Sequence, residues 1–165
     1  SQGAGPLPNQ YLKFENGASR VDHFIGLVPS NHGTTAYGLN LFLNSTTSKR
    51  GAHFDDSMAL PNGMSAPQQL QGSDFNKTLY DTPVTQPGVK YTIITSTHDH
   101  VVVPYTNAYL HEPGVKNVLL QNICPTDKTG HGNITYDPNV IQMVDNELDS
   151  AHAHAVQCTP MKFIG

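Results

Sequence analysis

The sequence predicts an α/β fold: parallel strands with flanking helices. Three observations carry it. The stretches 21–28 and 89–95 are apolar and rich in β-branched and aromatic residues, as buried strands are. A further strand pattern follows at Lys116-Asn117-Val118-Leu119-Leu120-Gln121. Helix and loop patterns separate these runs, and in a parallel sheet of this kind reactive residues gather at the carboxyl ends of the strands.

Taken in order, the chain begins Ser1-Gln2-Gly3, and a helix is expected over Pro6-Leu7-Pro8 and Tyr11-Leu12-Lys13-Phe14. Pro6 suits a first helical turn, Pro8 is expected to shorten or bend the helix, and Gly17 to stop it. The strand 21–28 ends at Pro29. Residues 36–47 read as a short helix. The span 49–87 is rich in Gly, Pro, Asn, Gln and Ser, with a weak helical patch near 66–71, and is expected to cover a site as a lid or cleft wall. After the strand 89–95, residues 105–110 give a turn or two of helix. Over 138–148, Val140, Val144 and Leu148 with Ile141 have the spacing of an amphipathic helix. There is no internal repeat.

A chain of 165 residues suits one domain with a real core and is a poor fit to two. The formal net charge of −4 and the absence of a basic stripe exclude a nucleic-acid partner. No apolar run approaches the roughly 20 residues that span a bilayer. Cys124 and Cys158 are too few for a disulfide scaffold; they form either one bridge, pinning the C-terminal tail beside the last strand, or two free thiols. Sequons begin at Asn44, Asn76 and Asn133, about the number this composition yields by chance.

Three residues suit one chemistry. Ser1-Gln2-Gly3 matches the second half of a G-x-S-x-G nucleophile elbow, and elbow enzymes run in the order Ser, acid, His. Asp99 lies just after the strand 89–95, placed to orient a histidine. His131 lies after the strand 116–121, between Gly130 and Gly132, which let the backbone turn and leave the imidazole open on one side. In a serine hydrolase the His takes the Ser proton, the Asp fixes its tautomer, and backbone N–H groups hold the oxyanion.

The local phrases resemble the secreted triacylglycerol lipases of microbes. The resemblance runs through Ser1-Gln2-Gly3, Tyr11-Leu12-Lys13-Phe14, Arg20-Val21-Asp22 and Ser30-Asn31-His32-Gly33-Thr34-Thr35. It continues in Val89-Lys90-Tyr91-Thr92-Ile93-Ile94 before Asp99 and Val101-Val102-Val103-Pro104-Tyr105-Thr106 after it. Asn117-Val118-Leu119-Leu120-Gln121 and Cys124-Pro125, followed by His131, complete it. The resemblance covers residues 1 to about 158 and is weakest between 43 and 71. It implies the C-terminal half of an α/β-hydrolase, a single partial domain over 1–165, secreted and acting on acylglycerols or similar esters. Ser1 would be the nucleophile, Asp99 the acid, His131 the base and the Gln2 N–H an oxyanion donor, with no cofactor and no metal. It also implies a Cys124–Cys158 bridge, and contact with a lipid interface without a membrane span. His32 would shape its loop and take no part in the chemistry.

The sequence departs from the family at several points. The strand and His-Ser-Gln elbow ahead of the nucleophile are missing, as is the earlier loop with the second oxyanion donor. Asn62-Gly63-Met64-Ser65 stands where the family often has a second cysteine pair, and Gly132 is smaller than expected. The missing N-terminal half is therefore an expected partner, because the strand 21–28 would otherwise leave an unpaired edge. Little activity is expected of the isolated chain. Three alternatives stay open. Ser1 could be an N-terminal nucleophile with its own amine as base. The chain could be an inactive hydrolase fragment. It could also be a His-rich metal-binding secreted protein, on the strength of His98-x-His100 and His152-x-His154.

Overall fold

The computed structural model describes residues 1–35, 37–38 and 65–163. The helix expected at 36–47 and the part of 49–87 before Ser65 lie outside the described residues, apart from the helical positions 37 and 38.

Three strands form one parallel sheet in the order β1 (His23–Leu27), β2 (Lys90–Thr95), β3 (Val115–Leu119). The register sets Phe24 beside Tyr91 and Ile93 beside Asn117. β2 lies in the middle and is buried from Tyr91 to Thr95, which is why its sequence is a continuous apolar and β-branched run. Side chains alternate across the pleat and so supply two cores. Phe24, Tyr91 and Ile93 face Leu12, Leu79, Val102 and Leu110. Val28 and Ile94 face Leu120, Ile134, Val140 and Met143.

The helices cover these faces. α1 (Pro6–Phe14) sends Leu12 into the first core, as does α3 (Asp74–Leu79) with Leu79; α2 (Ser65–Gln68) precedes α3. The weak patch near 66–71 is thus α2, but α3 was not foreseen. Its local signal is Ser73, whose hydroxyl accepts the Asn76 N–H at 3.2 Å as an N-cap. A short helix α4 (Leu120–Ile123) follows β3 directly, so the strand expected to reach 121 ends at Leu119. The turn expected at 105–110 is a 3-10 turn over Tyr105–Ala108.

Pro8 does not shorten or break α1, because the first turn has no intrahelical partner for its missing N–H. Asn16, at φ 56°, takes the left-handed conformation that ends the helix. Gly17 serves packing instead: a Cβ there would lie 2.3 Å from the Tyr11 ring. The last helix, α5, runs Pro138–Leu148 as the pattern predicts, capped by the Asp137 carboxylate on the Asn139 N–H. Its buried stripe is Val140 and Met143, whereas Ile141 and Leu148 are exposed. Cys124 and Cys158 are joined by a disulfide that ties the tail beside α4.

β1 and the Ser1 turn meet without side-chain filler. A Cβ on Gly26 would lie 2.7 Å from the Ala4 carbonyl oxygen, and one on Gly5 would lie 2.2 Å from Asn31 Oδ1. Gly26→Ala is therefore expected to destabilise the chain by about 1–3 kcal/mol, the usual cost of overpacking. A lower urea midpoint at unchanged slope checks this.

Candidate active site

Ser1 heads a 3-10 turn over Gln2–Ala4 that leads into α1. Its carbonyl accepts the Ala4 N–H at 3.0 Å and the Ser30 N–H at 3.4 Å, which fixes the turn to the chain leaving β1. The second bond of the turn runs from the Gly5 N–H to the Gln2 carbonyl, so the N–H groups of Gln2 and Gly3 have no partner within it. The Gln2 side chain donates to Gln68 Oε1 at 3.0 Å.

The structure brings Ser1, His131 and Asp99 together. Ser1 Oγ lies 2.5 Å from His131 Nε2, and His131 Nδ1 lies 3.0 and 3.1 Å from the two Asp99 oxygens. With Nδ1–H donating to the carboxylate, Nε2 carries the lone pair and accepts the serine hydroxyl. The Asp99 side chain is fully buried, and Oδ1 accepts the Val101 and Val102 N–H groups at 2.8 and 2.9 Å. Asp99 stands just beyond the carboxyl end of β2 and His131 beyond that of β3, the crevice where parallel sheets place their reactive groups.

The loop carrying His131 is held by buried polar groups that the sequence did not single out. Asp127 Oδ1 accepts the Thr129 N–H at 2.8 Å, and Asp137 Oδ2 accepts the Thr129 hydroxyl at 2.5 Å. Asn139 donates its side chain to Asp127 Oδ2 and its N–H to Asp137 Oδ1. Ser96, at the end of β2, donates to the Thr129 carbonyl at 2.5 Å. Neither Gly130 nor Gly132 has a positive φ. A Cβ on Gly130 would lie 2.6 Å from the Phe163 ring, so that position is small to admit the tail.

The loop after β1 braces the Ser1 turn and the Asp99 loop. Asn31 is wholly buried; its Oδ1 accepts from Asn9 and from the Tyr80 hydroxyl, and its Nδ2 donates to the Ala108 carbonyl at 2.6 Å. His32 packs its ring against Tyr80 and parallel to that of His111. Burial, followed by the neighbouring His111, holds the His32 imidazole below its usual pKa. The His32 backbone N–H donates to the Asn107 carbonyl at 2.9 Å, so His32 joins the loop after β1 to the segments that carry Tyr80 and His111.

The other signals divide. Among the described residues no group of three or more His, Cys, Asp or Glu side chains could hold a metal ion. His100 lies against Phe163, and His152 against Asp149. Of the sequons, Asn44 lies outside the described residues. Asn76 and Asn133 are buried, with side-chain amides donated to the carbonyls of Leu70 and Lys162. Both are structural asparagines in the folded chain.

No protein-family model and no curated protein sequence matches the chain. Among solved structures, the crystal structure of Aspergillus fumigatus lipase B superposes with a TM-score of 0.64 at 23% identity, covering 94% of this chain. The chain spans 36% of the length of that protein. The likeness shows the fold: a mixed α/β domain of the α/β-hydrolase kind, of which this chain matches a part.

Burial pushes the Asp137 carboxyl above its ordinary pKa, against the hydrogen bonds from Thr129 and Asn139, and the Asp127 carboxyl adds to the rise. A raised folded-state value means the protonated form is the one the fold favours. That stability is complete below the ordinary carboxylate value of about 4 and is lost as pH rises through the folded-state value above it. Asp137→Asn, neutral at every pH, is expected to gain stability relative to wild type as pH rises over this window. Urea midpoints across pH check the sign, and parallel curves contradict it.

Proposed function

We propose that this chain carries the reactive centre of a serine-dependent carboxylic ester hydrolase, a secreted lipase cleaving acylglycerols. The observation that carries the reading is the continuous hydrogen-bond chain from Ser1 Oγ through the His131 ring to the buried Asp99 carboxylate. The α/β-hydrolase fold and the position of both side chains beyond strand ends support it. A disulfide is consistent with an oxidising, extracellular compartment.

In the proposed reaction Ser1 Oγ attacks the ester carbonyl as His131 Nε2 takes its proton. Asp99 holds Nδ1–H and stabilises the imidazolium. The carbonyl oxygen becomes an oxyanion, for which the Gln2 N–H is the donor this chain offers. His131 then protonates the departing alcohol, leaving an acyl-enzyme ester on Ser1. Water, losing a proton to His131, attacks that ester; the acid leaves and the proton returns to Ser1.

Initial rates on p-nitrophenyl butyrate and emulsified tributyrin test the reading. Ser1→Ala and His131→Ala are each expected to lower kcat by at least about 10³-fold, and Asp99→Asn by about 10⁴-fold, with folding intact. A Ser1→Ala chain that keeps the hydrolysis shown by wild type contradicts it.

A further inference from the structure

We propose that Thr34 is a positioning residue for the Ser1–His131–Asp99 relay, acting through the turn that holds the Asp99 carboxylate. The proposal rests on the ester-hydrolase reading of that relay. Asp99 Oδ1 is anchored by the N–H groups of Val101 and Val102, so its aim at His131 depends on where that turn sits. The Thr34 hydroxyl clamps the turn from both ends. It donates to the Val101 carbonyl at 2.5 Å and accepts the Val103 N–H at 3.0 Å.

The base of the clamp is fixed. The Thr34 N–H donates to the Gln69 carbonyl at 2.7 Å and its carbonyl accepts the Gln71 N–H at 3.0 Å, an isolated parallel bridge to the segment between α2 and α3. Thr35 adds a backbone bond to the Val103 carbonyl at 3.1 Å. Thr34 is 3% exposed, so no water replaces its hydroxyl at low cost. On another side the turn borders a cavity of about 300 Å³ lined by Tyr37, Thr97, Asp99, His100, Val103, Pro104 and Tyr105. Gly38 closes the remaining space: a Cβ there would lie 2.3 Å from the Val101 oxygen and 2.4 Å from Thr34 Oγ1.

A valine at 34 keeps the volume and loses both bonds, leaving the Val101 oxygen and Val103 N–H to shift. The Asp99 carboxylate then holds the imidazolium less well. The NMR resonance of the His131 Nδ1–H proton, which donates to Asp99, is the test, because it needs no turnover. Thr34→Val is expected to move that low-field resonance upfield as the hydrogen bond to Asp99 weakens, and Thr34→Ser to restore it. On ester substrate the same variant is expected to lose about 10- to 100-fold in kcat at unchanged KM, counted per serine that reacts with a fluorophosphonate.

Should Thr34→Val fail to fold, Gly38→Ala presses on the same turn and is expected to move the His131 Nδ1–H resonance in the same direction. A resonance unchanged in the folded variant overturns the proposal, whatever its rate. Failure of the ester-hydrolase reading appears elsewhere, as wild-type hydrolysis by Ser1→Ala. The NMR shift still reports whether Thr34 aims Asp99.

Discussion

A fully buried carboxylate is the constraint on which this structure turns. The Asp99 side chain is fully buried, and its one ion-pair contact among the described residues is the His131 ring. Burying an ionised carboxyl costs several kcal/mol unless hydrogen bonds and a counter-charge replace its hydration. Here two backbone N–H groups and an imidazole N–H supply the replacement. Those donors also dictate the carboxylate's aim, which fixes the histidine tautomer and leaves Nε2 free to accept from Ser1.

Each of the three loops at the carboxyl ends of the strands has its own anchor. The loop after β2 is pinned to Thr34, and the loop after β3 to the Asp127–Thr129–Asp137–Asn139 network and the tail behind Gly130. The loop after β1 reaches Ser1 through the Ser30 N–H and the core through Asn31. Val28 makes that last turn with φ at 43°, a conformation that costs a β-branched residue of order 1–3 kcal/mol, while its N–H still bonds Ile94. The strain is held by the same packing that brings Ser30 onto the Ser1 turn. The phrase Ser30-Asn31-His32-Gly33-Thr34-Thr35 thus joins the Ser1 turn to the Asp99 loop by hydrogen bonds at both.

How much of this was legible in the sequence follows from how local each cause is. β2 announced itself, because a central parallel strand is buried on both faces and its residues are all of one kind. Ser1, Asp99 and His131 could be singled out because each sits in a turn beside a strand or helix pattern, whereas their meeting in space leaves no spacing to read. The end of β3 was not, since Leu119-Leu120-Gln121 continues the apolar run while the backbone has already turned into α4. Thr34 and Asn31 stood in a conspicuous phrase with no stated task. Their partners, Val101 and Ala108, lie 67 and 77 residues away, and hydrogen bonds over such separations leave no periodicity to read. The same holds for Asp137, which looks like an ordinary helix cap until Asp127 and Thr129 are brought against it.

The most direct measurement is the site and rate of covalent labelling by a fluorophosphonate, read by peptide mass spectrometry on wild type and His131→Ala. The account predicts one adduct, on the Ser1 hydroxyl, forming almost not at all in the variant. An adduct elsewhere, or labelling of His131→Ala at the wild-type rate, would contradict it.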